Sequence, residues 1–230
     1  MQDEITRVFS GILIRCAQLD LIGGEVFALD GCKISSNAAK ELSGTLKDLE
    51  RKKHKLKTMC DVMVTTHRNN DRNENDSIEK RREKYRKKMG KIDAFIRSVD
   101  PKKGKRGGEN KSNITDNESA TMKSSHGVIQ GYNGLAVVDN KKQVIVNAEA
   151  FGQGAEADLL PGLIEKTEKN MKSVKVGWSF HESKVVADTG YFSEHNCEYL
   201  RNSGIDAYIP DKFFRKRDPR FPANFPYRKP

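Results

Sequence analysis

Two series of apolar residues at heptad spacing dominate the stretch between about residues 37 and 100. The first runs from Leu42 to Met63 and the second from Ile78 to Ile96, with members three, four or seven positions apart. This period places apolar side chains on one face of an α-helix, and such a face needs a partner to cover it. A polar break, RNNDRNEND, separates the two series. We therefore predict two long helices that fold back on each other as an antiparallel hairpin.

Short strands and amphipathic helices alternate in the rest of the chain. A first strand, VFALD, follows an N-terminal helix, and a β-hairpin forms around the turn DNKK. The helix ADLLPGLIEKTEKNMKS, the strand SKVVAD, a helix over about 193–203 and the strand IDAYIP come next. A hairpin beside a first strand, followed by strand and helix units, predicts the α/β class with a mixed sheet and helices on its faces.

These patterns divide the chain into five segments. They are an N-terminal helix with the first strand (1–36), the helical-hairpin insertion (37–100), a basic flexible loop (101–125), the remainder of the α/β domain (126–210) and a truncated basic tail (211–230). The predicted loop is rich in Gly, Lys, Ser and Asn and has no apolar period.

Positive charge is concentrated in the second heptad helix and the segment after it. The formal net charge of +10 favours a polyanion such as nucleic acid as the partner. The side chains predicted to contact DNA are Arg81, Arg82, Lys84, Arg86, Lys87, Lys88, Lys102, Lys103, Lys105 and Arg106. The same residues could instead form only the solvated outer face of the helical hairpin.

Cysteine and histidine spacing gives no sign of a zinc site or a disulfide framework. The four cysteines and five histidines are scattered along the chain. We expect reduced thiols and a cytoplasmic protein. No apolar run approaches the ~20 residues that span a bilayer, so we expect no membrane partner.

Two aspartates follow short apolar strands. Asp30 ends VFALD before Gly31, and Asp188 ends SKVVAD before Thr189-Gly190. In α/β sheets ligands bind beyond the carboxyl ends of strands, so the two carboxylates would converge if the strands were neighbours. Converging carboxylates repel each other unless a cation lies between them, and Mg²⁺ is a fitting cation. Each aspartate could instead be an ordinary strand-end residue or helix N-cap.

The chain resembles the DDE transposases of bacterial insertion sequences on three stretches. These are FALDGCKISSNAAK, the central DNESATMKSSHGVIQGYNGLAVVDNKKQVIVNAEAF, and VVADTGYFSEHNCEYLRNSGIDAYIP. They are similar to the branch with an Asp-Gly-Thr-Lys-like first motif and an Ala-Asp-x-Gly-Tyr second motif. The resemblance extends over about residues 26–210. It implies an RNase H-like fold, two Mg²⁺ (or Mn²⁺) ions, and cleavage and transfer of DNA strands at transposon ends, without a small-molecule cofactor.

The resemblance also implies roles for individual residues. Asp30 matches the first metal-binding, catalytic aspartate of the family and Asp188 the second. The neighbouring motif positions are Gly31, Lys33, Gly190 and Tyr191. The sequence departs from the pattern at Cys32, where the family usually has Thr.

A third acidic residue expected from the resemblance is missing. The family carries a Glu on a helix after the last strand, and after Pro210 this chain offers only Asp211 and Asp218. We therefore expect an internal transposase fragment that is inactive alone, with a homodimer left open. The alternative is a non-catalytic DNA-binding or interaction protein derived from a transposase. A different RNase H-like nuclease is a weaker alternative, because a minimal nuclease needs no long insertion.

Overall fold

The computed structural model describes residues 2–69, 75–104, 107–125, 127–175 and 178–221. The helices are α1 (Gln2–Gln18), α2 (Leu46–Asn69), α3 (Asn75–Ser98), α4 (Leu160–Val174), α5 (Glu194–Asn202) and α6 (Phe214–Arg217). The strands are β1 (Val26–Ser35), β2 (Ser43–Gly44), β3 (Ser112–Asn113), β4 (Ala120–Ser124), β5 (Gly127–Asp139), β6 (Ile145–Phe151), β7 (Lys184–Ala187) and β8 (Asp206–Tyr208). The predicted α/β class is confirmed, and the sheet is mixed.

The chain forms two compact units. The first contains Met1–Cys32, Asn133–Phe151 and Ala155–Pro230, and the second contains Lys33–Tyr132 and Gly152–Gly154. Strands β1 and β5 contribute residues to both units. In the described part of the chain, no helix is long and apolar enough to cross a membrane.

The first unit is built on a mixed sheet in the order β6-β5-β1-β7-β8. Strand β1 pairs in parallel with β7, and β7 pairs in parallel with β8. Strands β5 and β6 form the predicted antiparallel hairpin, with a register shift between Val137 and Val138. Helix α4 packs on β6 and α1, and α5 packs on α4 and β8. The predicted order of strand, hairpin, helix, strand, helix and strand is thus confirmed.

An aromatic cluster forms one side of the core of this unit. Phe27 on β1 meets Trp178 and Phe180 in edge-to-face contacts, with ring centroids 5.5 and 5.6 Å away, and all three side chains are buried. The indole Nε1 of Trp178 and the hydroxyl of Ser183 both donate to the carbonyl oxygen of Gly24. The start of β1 is therefore fixed both by apolar packing and by hydrogen bonds to its preceding turn.

Asp139, at the end of β5, anchors the turn between α1 and β1. Its fully buried carboxylate accepts hydrogen bonds from the backbone N–H groups of Gly23 (3.0 Å), Gly24 (2.7 Å) and Lys141 (3.0 Å). Three main-chain donors thus depend on one side chain. The carboxylate replaces the water that these buried groups would otherwise require.

Strand β1 is longer than its sequence predicts. The prediction that the strand ends at Asp30 is wrong, because β1 continues through Gly31 to Ser35. Gly31 is not a terminator here but a point of close contact with β5. A Cβ atom on Gly31 would lie 2.5 Å from Cδ2 of Leu135 and 3.3 Å from the carbonyl oxygen of Gly134.

The second unit contains the two predicted long helices, which pack against each other. Leu49 and Ile92 are buried, as the heptad pattern predicts. Lys53, which interrupts the first apolar series, forms an ion pair with Asp93 of α3, with 2.8 Å between Nζ and Oδ1. The first helix begins only at Leu46, because residues 40–44 form a 3-10 turn and β2.

Two short strands lie in the range that the sequence predicts as a flexible loop. Strand β3 pairs with β2, and β4 pairs with the first half of β5. Buried polar side chains stabilise this region: Gln130 donates to Ser119 (2.7 Å) and accepts from Ser43 (2.8 Å). The sequence of this region has no apolar period, because hydrogen bonds between polar side chains stabilise it in place of apolar packing.

Candidate metal site

Asp30 and Asp188 occupy adjacent positions on neighbouring parallel strands. The register of β1 with β7 ends at the pair Leu29 and Ala187, and Asp30 and Asp188 are the residues that directly follow this pair, Asp188 just beyond the end of β7. Adjacent strands lie about 4.8 Å apart. Leu29 and Ala187 are buried whereas both aspartates are exposed, so the two carboxylates leave the same face of the sheet. The two strands are thus neighbours, which is the condition under which the sequence predicts that the carboxylates converge.

Both aspartates also bind nearby backbone. Oδ1 of Asp188 accepts from the N–H of Gly190 (2.8 Å) and caps the 3-10 turn Thr189–Tyr191. Oδ1 of Asp30 accepts from the N–H of Gly31 (2.7 Å). The N-cap interpretation of Asp188 is thus confirmed, but it does not exclude a ligand. A carboxylate has two oxygens with about four lone-pair positions, and each of these bonds uses one.

Glu156 lies beside these aspartates, although the sequence analysis did not identify it. A Cβ atom on Gly190 would lie 2.7 Å from Oε2 of Glu156 and 2.9 Å from Oδ1 of Asp188. One oxygen of each carboxylate therefore lies close to Gly190, and a methyl group at this position would collide with both. Asn133 of β5 donates from Nδ2 to Oε1 of Glu156 (3.2 Å).

A buried asparagine holds the Glu156 segment against the Asp188 turn. Nδ2 of Asn196 donates to the carbonyl oxygens of Ala157 (2.6 Å) and Tyr191 (2.7 Å). Glu156 directly precedes the 3-10 turn Ala157–Leu159, so this side chain connects the two turns. The carboxylate of Glu156 is brought into place by tertiary hydrogen bonds rather than by a local motif.

Three buried polar atoms around this place lack a hydrogen-bond partner within the described residues. They are the hydroxyl of Tyr191, Oδ1 of Asn133 and Oδ1 of Asn196, and all three residues are 0% exposed. Burial raises the pKa of Tyr191 well above its usual range, and the charges of Glu156, Asp188 and Asp30 raise it further. The Tyr191 hydroxyl thus remains a neutral donor near three carboxylates.

These features fit a hydrated divalent cation. Carboxylates that converge repel each other, and orphaned buried polar atoms in native proteins call for water or an ion. Mg²⁺ binds through one or two carboxylates and keeps several waters, which neutral groups nearby can bind. Across the described ranges, no group of three or more His, Cys, Asp or Glu side chains is placed so that it could hold a metal ion. A cation at this place would therefore depend on the two aspartates and on its own waters.

The predicted DNA contacts on α3 share a basic surface with two further lysines. A shallow groove is lined by Leu42, Glu79 and Glu83 together with Lys80, Lys84, Lys87, Lys88 and Lys91. Lys80 and Lys91 are not among the predicted contacts, although they continue the helical spacing of that set. Arg81 and Arg86 are exposed on α3, whereas Arg82 is 17% exposed and pairs with Glu79 at 2.7 Å.

The other predicted site residues differ in their exposure and in their hydrogen bonds. The partly buried amine of Lys102 donates to the backbone carbonyl of Asn117, and burial lowers its pKa. This lysine is therefore engaged inside the second unit. Lys103 is exposed, and Lys33 donates to the carbonyl of Gly154 (3.3 Å). Lys105 and Arg106 lie outside the described residues.

Comparisons with protein-family models, curated proteins and solved structures give no match to this chain.

Proposed function

We propose that this chain carries the catalytic core of a DDE transposase of an insertion sequence. It would act in DNA transposition and recombination by metal-dependent cleavage and transfer of DNA strands at transposon ends. The observation that carries the proposal is the in-register placement of Asp30 and Asp188 on one face of neighbouring parallel strands. In this proposal the two aspartates hold Mg²⁺ or Mn²⁺.

The topology of the first unit supports an RNase H-like fold for this core. Strand β1 is central, with the β5–β6 hairpin on one side and the parallel strands β7 and β8 on the other. Helices α4 and α5 connect the strands, and the long helical pair enters as an insertion after β1. This arrangement places the candidate carboxylates at the middle of the sheet, where two strands can contribute to one site.

The chain's own residues set up the proposed chemistry. The bonds from Gly31 and Gly190 orient one oxygen of each aspartate and leave lone pairs on the other for a cation. A pair of bound Mg²⁺ ions would activate the attacking oxygen and stabilise the leaving oxygen of a phosphodiester. The cytoplasmic location and the DNA partner belong to the same proposal, and the four free cysteines are consistent with a reducing compartment.

Plasmid nicking tests the proposed cleavage. The resemblance leaves the third acidic residue without a match, so we expect only slow nicking, and this nicking should require Mn²⁺ or Mg²⁺. Asp188→Asn should reduce it about 100-fold or more, because an amide neither carries the charge nor binds the cation as well. Glu198→Gln, on the exposed side of α5, serves as the matched control. Nicking that survives in Asp188→Asn, or none with wild type, contradicts the proposed cleavage.

A second candidate function, DNA binding without catalysis, is favoured by the basic groove on α3. Its lysines are engaged only in exposed ion pairs such as Lys87 with Glu83 (3.5 Å) and Lys88 with Glu41 (3.2 Å) among the described contacts. Such pairs contribute at most about 1 kcal/mol and can exchange for DNA phosphates. This function requires neither Asp30 nor Asp188.

Charge reversal on α3 tests whether its lysines contact DNA phosphates or affect DNA affinity only through the net charge of the protein. The triple variant Lys80→Glu, Lys84→Glu, Lys87→Glu should lower the slope of log affinity against log salt by about 3, one for each lost phosphate contact. Reversing the exposed Lys47, Lys55 and Lys57 of α2 changes the net charge equally and should have a smaller effect. Equal losses in both triple variants would show that the α3 groove is not the binding surface. Fluorescence anisotropy with labelled duplex DNA over a salt series gives both slopes.

A further inference from the structure

We propose that the outer side of helix α1 is an interface through which two copies of this chain associate. The inference goes beyond the proposed function, because it requires neither a metal ion nor DNA. Four aliphatic side chains form a row on this side of the helix, and each keeps more than half of its surface exposed. They are Ile5 (65%), Val8 (64%), Ile12 (55%) and Leu19 (54%), and we call this row the α1 stripe.

Helix α1 has a second apolar side, which already packs inside its own unit. Leu13 is 1% exposed, and Phe9, Cys16 and Ala17 lie against the same hydrophobic core. A surface helix of a globular protein needs only one apolar side, and the rest of its surface is polar. The α1 stripe is therefore more apolar surface than the packing of α1 on its own unit requires. Exposed apolar patches of this kind mark interaction sites.

The spacing of the α1 stripe indicates a second helix as its partner. Its members and Arg15 follow one another at intervals of three, four, three and four residues. Leu19 continues the helical spacing, because its N–H donates to the carbonyl oxygen of Arg15 (3.1 Å). This alternation is that of the a and d positions by which one helix packs along another. The aliphatic part of Arg15 can take its place in such a row, with the guanidinium turned to water.

The charges of α1 favour an antiparallel second copy of the same helix. Its first turn carries Asp3 and Glu4, and its last turn carries Arg15. Two parallel copies would bring like charges together at each end, whereas two antiparallel copies bring opposite charges together. Antiparallel packing also places the positive end of each helix dipole beside the negative end of the other. The helix is thus complementary to itself in this orientation.

Antiparallel packing about Ser10, the middle of α1, fits the side chains of the stripe. Val8 then lies opposite Ile12 of the second copy, and Ile5 lies opposite Arg15 of the second copy. The guanidinium of Arg15 reaches the first turn of the other helix, where the acidic residues lie. Because the arrangement is two-fold symmetric, each of these contacts occurs twice.

The size of this contact predicts a weak dimer. Helix α1 has 17 residues, so it is about 25 Å long. Stable protein interfaces bury about 1,200–2,000 Å² in total, and one pair of helices of this length reaches at most the low end of that range. We therefore expect a dissociation constant on the order of 10–100 µM. The monomer is then the main form at low micromolar concentrations.

Sedimentation velocity of the whole chain, freed of nucleic acid, tests the inference. We expect wild type to change from monomer to dimer between about 2 and 300 µM. Ile12→Glu should weaken self-association about tenfold or more, because it places a charge from each copy inside the apolar contact. Ile14→Glu is the matched control and should leave self-association unchanged. Ile14 is also exposed (43%), but it lies about 200° around the helix from Ile12.

A charge exchange tests the antiparallel orientation. Arg15→Glu should weaken the dimer about threefold or more, since it brings a carboxylate to the acidic first turn of the other copy. Adding Glu4→Arg to Arg15→Glu should restore the affinity, because opposite charges then meet again at both ends. Association that is lost in Arg15→Glu and not restored in the double variant would contradict the antiparallel pairing.

Three further results would overturn the inference. A wild-type chain that stays monomeric at every concentration would show that the α1 stripe is not a self-interface. Self-association that is unchanged in Ile12→Glu, or weakened equally by Ile12→Glu and Ile14→Glu, would place the contact elsewhere. Both substitutions are at exposed positions, so thermal melting followed by circular dichroism should show both variants folded and close to wild type.

Discussion

Replacing Asp139 by alanine is expected to destabilise the first unit by about 3–5 kcal/mol, enough to unfold many domains of this size. The substitution removes the acceptor of three backbone N–H groups, those of Gly23, Gly24 and Lys141. The carboxylate is fully buried, so water cannot replace it without opening the turn between α1 and β1. Urea unfolding followed by the fluorescence of Trp178 measures the change, since this tryptophan packs beside the same turn.

Asn140→Ala is the matched control for Asp139→Ala. Asn140 is the next residue and is exposed, and its described bond to Val26 uses its backbone N–H. We expect a change within about 0.5 kcal/mol for this variant. A loss below about 1 kcal/mol for Asp139→Ala would show that the three hydrogen bonds do not hold the turn.

Gly131→Ala is expected to destabilise the second unit by about 3 kcal/mol. A Cβ atom at this position would lie 2.0 Å from the carbonyl oxygen of Ile34, and 3.0 Å from Cα of Ser35. The obstacle is main chain, so a rotamer change cannot relieve it and the two strands would have to separate. Circular dichroism at 222 nm during urea unfolding reports on this unit, because it contains the long helices α2 and α3.

Gly90→Ala is the corresponding control within the same unit. Gly90 lies inside α3 and a Cβ atom there would have open space. Alanine is the better helix former by about 1 kcal/mol, so this variant should be more stable than wild type. If Gly131→Ala and Gly90→Ala change the free energy of unfolding in the same direction, close strand contact at Gly131 is not the cause of the change.

Motif residues in this chain have structural as well as chemical roles. Gly31 and Gly131 permit close strand contact, and Asp139 binds main-chain donors. All three belong to the stretches that resemble transposases. The resemblance on these residues is therefore evidence about the packing of the sheet, whereas the proposed chemistry depends on Asp30 and Asp188. The two kinds of residue can be tested separately, by stability and by metal binding.

Much of the fold follows from local patterns in the sequence. Heptad spacing predicts α2 and α3, including the burial of Leu49 and Ile92, because helical period and packing coincide there. The β5–β6 hairpin and the order of strands and helices in the first unit can likewise be predicted from the spacing of apolar residues and from the turn residues. The continuation of β1 past Asp30 cannot be predicted in this way. Gly31 suggests that the strand ends, and only its close contact with Leu135 explains a glycine inside the strand.

The position of Glu156 beside Asp188 could not be predicted because it depends on tertiary contacts. Glu156 precedes a helix in a stretch without a motif, and hydrogen bonds from Asn196 and Asn133 help to place it near Asp188. Strands β3 and β4 were missed for a related reason. Their region is held by buried polar side chains such as Gln130 and Ser119, which carry no periodic apolar signal.

Paramagnetic broadening by Mn²⁺ in the NMR spectrum of the whole chain tests the central claim most directly. If Asp30 and Asp188 hold a cation, substoichiometric Mn²⁺ should broaden the backbone amide signals of Gly31 and Gly190 first, since both N–H groups bind these carboxylates. The double variant Asp30→Asn, Asp188→Asn should lose this broadening while keeping the rest of its spectrum. Broadening that is absent in wild type, or that persists unchanged in the double variant, would contradict a metal site on these two strands.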